Sequence, residues 1–171
     1  RGDRALYVAL EPRRLDVVQA IAASRAGVGL TKIARFPHLL SQGDMNALTA
    51  ASNAIASWPL HVIDETERDC PDAVAKIELA MRSLPAMPSL VVVDHLLKLQ
   101  PVGRYGKSHE GTAEVVAALV SLGKRTGATM LVLCHIGRAM SGNGSLYRRP
   151  RVEDIAGGDA MNRDADARPP G

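Results

Sequence analysis

The sequence predicts a single α/β domain: a mainly parallel β-sheet flanked by helices. Three observations predict it. Four short, nearly continuous apolar runs alternate with stretches whose apolar residues recur at helical spacing, the order that produces crossover connections and parallel strands. The chain is 46% hydrophobic but only 3% aromatic. Its core must therefore come from Ala, Val, Leu, Ile and Met, a composition suited to strands sandwiched between helices. At 171 residues there is enough chain for one substantial core and too little for two comfortable domains.

The first predicted strand is Ala5 to Leu10, which Glu11-Pro12 stops. Leu15, Val18, Ala22 and Ala26 then recur at helical spacing, with Pro12 in a permitted first-turn position and Gly27 just past the end. Leu30 to Ala34 reads as a short helix. Ser41 to Ser57 is Ala-rich and periodic through Met45, Leu48 and Ile55 until Trp58-Pro59 breaks it. Leu60 to Asp64 forms the second predicted strand. Pro71 opens an amphipathic helix through Val74, Ile77 and Leu84, and the segment Pro85 to Pro88 leads into Leu90-Val91-Val92-Val93-Asp94, the strongest strand signal in the chain. A polar loop follows from Gln100 to His109. Glu110 to Arg125 reads as a helix with Val116 and Leu119 inward, Gly127 follows it, and Thr129 to Cys134 is the fourth strand. From Ile136 to Pro150 the sequence is rich in Gly, Ser, Asn and Arg, and from Gly157 it is small and polar. The domain is expected to span residues 1–155, followed by a poorly ordered tail at 156–171.

Charge and cysteine usage narrow the setting. The net charge of +3 and pI near 9.1 suit a polyanionic partner without demonstrating one. Cys70 and Cys134 lie in different predicted elements with no paired spacing, and no signal peptide or spanning apolar segment is visible. A reduced, cytoplasmic location is expected, with no membrane partner.

Functional groups of a parallel sheet gather beyond the carboxyl ends of its strands. Glu11, Asp64, Asp94 and the Cys134-His135 pair fall there. A hydrophobic run ending in Asp, Leu90 to Asp94, has the form of a Walker B segment, whose carboxylate holds Mg²⁺ or its water shell near phosphates. An Asp that only caps a strand or turn has the same appearance. Glu11 can orient and deprotonate an attacking water, or start the next helix with a charge that suits its dipole. His135 can donate to a terminal phosphate, or be structural. His38, His61, His95 and His109 read as structural. Carboxylate and imidazole are both divalent-metal ligands, so Asp94, His95 and His135 also suggest a metal-dependent hydrolase. Against that set, consecutive residues 94 and 95 on a strand point to opposite faces.

Gly103-Arg104-Tyr105-Gly106-Lys107-Ser108 ends like a phosphate-binding loop. That motif needs four residues between its glycines, and this segment has two. It reads as a surface loop whose cations, Arg104 and Lys107, can meet a nucleic-acid backbone.

Taken in order, Val8-Ala9-Leu10-Glu11, then Leu90 to Leu99, then Leu131-Val132-Leu133-Cys134-His135-Ile136-Gly137-Arg138-Ala139 resemble successive motifs of DnaB-family hexameric helicases. Arg149 to Ile155 through Asp164-Ala165-Asp166 resembles the family's next motif, so the likeness runs along nearly the whole chain. The resemblance implies a RecA-like core, incomplete at both ends, that uses ATP and Mg²⁺. It implies Glu11 as catalytic base, Asp94 as the Mg²⁺-associated acid and His135 as phosphate sensor. His rather than Gln at that last position is similar to phage primase-helicases. Arg138 matches a frequent family arginine and, with Arg104 and Lys107, is a candidate DNA contact. The implied partners are single-stranded DNA, copies of the same chain in a hexameric ring, and a primase or helicase loader.

Two departures qualify these expectations. The family's phosphate-binding loop belongs before the first strand, where this sequence has only Arg1 to Arg4. Ala156 stands where the family's Asp-Leu-Arg turn has arginine. By itself this stretch is expected to lack ATPase activity, and a catalytically silent RecA-like binding or assembly module is the alternative.

Overall fold

A computed structural model describes residues 3–64, 73–99 and 109–135, the side chains of 109 and 110 excepted. In chain order the elements are β1 (Ala5–Ala9), α1 (Arg14–Ala26), α2 (Leu30–Arg35), a 3-10 turn (Pro37–Leu39), α3 (Gln42–Ala56), β2 (Leu60–Ile63), α4 (Ala73–Ser83), β3 (Leu90–Asp94), a second 3-10 turn (Leu96–Lys98), α5 (His109–Thr126) and β4 (Thr129–Val132). The four strands form one sheet in the order β2-β1-β3-β4, and every pairing is parallel. The predicted α/β class and its β-α alternation are therefore observed.

Register follows from which side chains must be buried. Leu6 and Val8 of β1 stand beside Val91 and Val93 of β3, so all four share one face of the pleat. They pack with Ile77 and Met81 of α4, with Val115, Val116, Leu119 and Leu122 of α5, and with Leu96 and Leu99 beyond β3. Burying each such side chain contributes about 1.5–3 kcal/mol, which makes this layer the main source of stability. Glu78 joins the two covering helices, accepting from Arg82 at 2.7 Å and from Arg125 at 2.6 Å.

Close approach fixes α5 on β4. A Cβ added at Gly123 would lie 2.9 Å from Met130 Cγ and 3.2 Å from the Ala128 carbonyl oxygen, so only glycine permits this contact. Gly127 ends α5 with φ 71°, a left-handed conformation that a side chain resists. Its N–H returns to the Gly123 carbonyl at 2.8 Å.

At the other end of the molecule, α3 opens with a capping box. The Ser41 hydroxyl accepts from Asp44 N at 3.1 Å while the Asp44 carboxylate accepts from Ser41 N at 2.8 Å. Lys32 of α2 donates to the same carboxylate at 2.7 Å. This ammonium, followed by the Ser41 donors, holds the Asp44 carboxyl down at about 2.

Several predicted details change. Leu15 and Met45 were expected on inward stripes, yet both are exposed; α1 buries the predicted Ala22 together with Val17 and Ala23, and α3 buries Ala51. Helix α1 has apolar residues around most of its circumference, so spacing alone does not select the buried face. Strands β1, β2 and β4 end one or two residues earlier than predicted, and α5 begins one residue earlier. The predicted loop at residues 100–108, the segment 136–171 and the boundary at 155/156 lie outside the described residues.

Candidate functional site

Strand order determines which chain ends meet. With β3 between β1 and β4, the segments leaving their carboxyl ends run side by side, and backbone bonds continue the ladder past the strands. Leu10 N donates to the Asp94 carbonyl at 2.7 Å, Leu133 N to Val93 at 2.9 Å, and Leu96 N to Leu133 at 2.9 Å. These bonds place Glu11, Asp94-His95 and Cys134-His135 on three adjacent, mutually anchored segments.

Glu11 is the hub. One carboxylate oxygen, Oε2, lies 3.0 Å from His95 Nδ1 and 3.8 Å from His135 Nε2, and the other, Oε1, lies 3.6 Å from the Lys98 ammonium. The two imidazoles are stacked, with ring centroids 3.9 Å apart and planes 23° from parallel. His95 is only 3% exposed. Its Nδ1 makes no hydrogen bond, because the nearby Glu11 oxygen lies within ion-pair reach but out of line with the ring. Burial, reinforced by the adjacent His135, pushes the His95 imidazole below its usual value despite the opposing pull of Glu11. Its neutral form is favoured. Glu11 is half exposed, so solvent and ligands can reach its carboxylate while its neighbours hold it in place.

Asp94 faces elsewhere. Ala9 pairs with Asp94 and Tyr7 with Val92, which puts the Tyr7 and Asp94 side chains on the same face of the sheet, one pair apart. The Tyr7 hydroxyl donates to Asp94 Oδ2. Burial first, then this hydrogen bond and the charge of Asp94, push the phenol up to about 12. Asp94 thus stands on a rigid strand with one oxygen oriented by a neutral donor, a geometry in which a carboxylate can receive a hydrated divalent cation.

The structure thus brings Glu11 and His135 together, with Asp94 on the intervening strand. Asp64 does not join them. It accepts from Arg14 N at 3.1 Å and so serves the first turn of α1, the role an acidic group at a helix start commonly takes. The Cys134 thiol, half-buried, is pushed up to about 11 by burial and is a poor nucleophile there. Arg104, Lys107 and Arg138 lie outside the described residues.

His95, which the sequence placed with the structural histidines and also in the alternative metal-ligand set, sits inside the site, whereas Lys98 and Tyr7 were not singled out at all. A signal existed for Tyr7, because one phenol in an otherwise aliphatic buried strand needs a polar partner. The metal-ligand set suggested by sequence also changes. Glu11, His95 and His135 each offer a donor atom within 4.8 Å of the others, and Asp94, engaged by the Tyr7 hydroxyl, is not among them.

Comparisons with known proteins match this fold. The family of the DnaB-like helicase C-terminal domain matches residues 2–167. Among solved structures, a DnaB-like replicative helicase described with its interactions with primase superposes with a TM-score of 0.81 at 16% identity, covering 96% of this chain and 40% of that one. A second solved structure, described as an ATPase domain, superposes with a TM-score of 0.80 at 16% identity, covering 96% of this chain and 57% of that one. The chain therefore spans roughly half the length of these structures, and they share its RecA-like fold. No curated protein matches. No helix among the described residues is long and apolar enough to cross a membrane. By the match along nearly its whole length, this chain belongs to the family of DnaB-like helicase C-terminal domains.

Proposed function

We propose that this domain is the hydrolytic part of an ATP-dependent replicative DNA helicase, working with Mg-ATP between the subunits of a ring that moves along single-stranded DNA. The observation that supports this most is the meeting of Glu11 and His135 across the end of the strand that carries Asp94. In this reading Asp94 would hold Mg²⁺, which would supply charge stabilisation at the phosphates, while Glu11 takes the proton of the attacking water and His135 responds to the terminal phosphate. Lys98 and His95 position Glu11. The Lys98 ammonium lies 3.6 Å from one Glu11 oxygen and the buried His95 ring 3.0 Å from the other, so the two restrict where the carboxylate can turn. Nucleotide binding also needs backbone amides and a lysine to cradle the phosphates. Arg104, Lys107 and Arg138 are the proposed DNA contacts, and a primase or loader is a proposed partner because a structural neighbour is described with primase.

The test is DNA-stimulated ATP hydrolysis by the full-length helicase carrying this domain, with and without Glu11→Gln. Loss of a general base lowers turnover on the order of 10²–10⁴-fold, with nucleotide binding retained. Unchanged turnover would remove Glu11 from this role, whereas no hydrolysis by the unsubstituted protein would favour a catalytically silent assembly module.

A further inference from the structure

We infer that Glu11, His95 and His135 form a binding site for a divalent transition metal of the zinc class, separate from the Asp94 carboxylate assigned to Mg²⁺. Three independent features converge on this. The donor set is two imidazoles and one carboxylate, a combination that holds zinc in many proteins and suits magnesium poorly. Spacing is also right. Zinc bonds of about 2.0–2.1 Å in a tetrahedron place ligand atoms about 3.3 Å apart, and Glu11 Oε2 lies 3.0 Å from His95 Nδ1 and 3.8 Å from His135 Nε2. Finally, His95 is 3% exposed and its Nδ1 lacks a hydrogen bond. A buried nitrogen left without a hydrogen bond is unfavourable, and a metal ion beside Glu11 would satisfy it.

One adjustment is required. Stacked rings cannot both direct an in-plane lone pair at a single ion, so one imidazole must tilt on binding. His95 is fixed by burial, whereas His135 is exposed on the end segment of the edge strand and can swing. Three protein ligands would leave a fourth position open to water, as in zinc sites that exchange ligands. The consequence for turnover rests on the function proposed above. The same ion would occupy the base and the phosphate sensor together, so zinc would inhibit where magnesium activates.

The site is tested without nucleotide or DNA, by titrating the whole chain with Co²⁺ and then displacing it with Zn²⁺. One equivalent of Co²⁺ should develop the intense visible bands of a four-coordinate ion, lose them to Zn²⁺ and keep them in millimolar Mg²⁺. Glu11→Gln and His135→Ala, both at exposed positions, should each weaken binding by at least about tenfold while far-ultraviolet circular dichroism is unchanged. Binding at wild-type affinity in both variants, a cobalt–thiolate charge-transfer band, displacement by Mg²⁺, or no binding at micromolar metal would each overturn the site. Zinc that binds here without inhibiting the full-length helicase would uphold the metal site and count against Glu11 as the base.

Discussion

The two faces of the central sheet are made from the same strands and nearly the same residues, yet they do different work. On one, Leu6, Val8, Val91 and Val93 are at most 1% exposed beneath α4 and α5. On the other, Ala9 is buried and Tyr7 and Val92 are half-buried, while Leu131 of β4 and Leu133 just beyond it are 49% and 38% exposed. Strand composition does not account for the difference; the covering helices do. Because side chains alternate, each strand contributes to both faces at once. The closed face supplies the burial that makes the strands rigid, and the open one presents the Asp94 carboxylate and its Tyr7 donor where solvent and ligands reach. Rigidity gained on one side is used on the other.

The largest effect should follow from opening the closed face. Leu122 of α5 is fully buried among the sheet residues, so Leu122→Ala removes transfer energy and leaves a cavity. A loss of about 2–5 kcal/mol is expected, read from the midpoint of urea unfolding at constant slope. A loss below about 1 kcal/mol would mean that α5 is not seated as described.

An intermediate effect is expected at the polar pair of the open face. Tyr7→Phe deletes the hydroxyl that donates to Asp94 and should cost about 1 kcal/mol, less than a buried charged hydrogen bond because water reaches the carboxylate. Its pH dependence is more diagnostic. The folded-state phenol is raised from 10.0 to about 12, so its contribution is fully present below pH 10 and is lost as pH rises towards about 12. Tyr7→Phe should remove that decline from a stability-against-pH profile. An identical alkaline slope in both proteins would show that Tyr7 titrates normally.

The strands were legible in the sequence because each is a short, near-continuous apolar run set between segments of helical spacing. Leu90 to Asp94 matches its predicted bounds at both ends. Helix faces were harder. Leu15 satisfies helical spacing as well as Val17 does, and only packing against neighbouring elements separates them. At the site, the juxtaposition of Glu11 and His135 beside the Asp94 strand was legible because segments leaving neighbouring parallel strands run side by side. Their partners were not, since the neighbours of Glu11 depend on the path the chain takes after β3. A strand continued past Asp94 would send His95 away from the carboxylate on the next residue's side. Instead the chain turns into Leu96–Lys98, which puts both His95 and Lys98 against Glu11. Asp64 shows the converse: it ends a run just as Asp94 does, but β2 lies at the edge next to the start of α1, and the helix takes its carboxylate.

The smallest effect is expected at Leu131, and it is the sharpest check on the contrast. Among the described residues nothing covers this side chain, although it is as apolar as Leu122 and sits in a regular strand. Leu131→Thr keeps a residue that favours strands and removes exposed apolar surface, so the change for the isolated chain should stay within about ±0.5 kcal/mol. The measurement should be made at several protein concentrations. If the wild type alone gains stability with concentration, and the variant does not, Leu131 is covered by a second chain, and the open face is open only in the monomer. A concentration-independent loss of about 2 kcal/mol or more would instead place Leu131 in the core, and the distinction between a face that supplies rigidity and a face that presents chemistry would fail at β4.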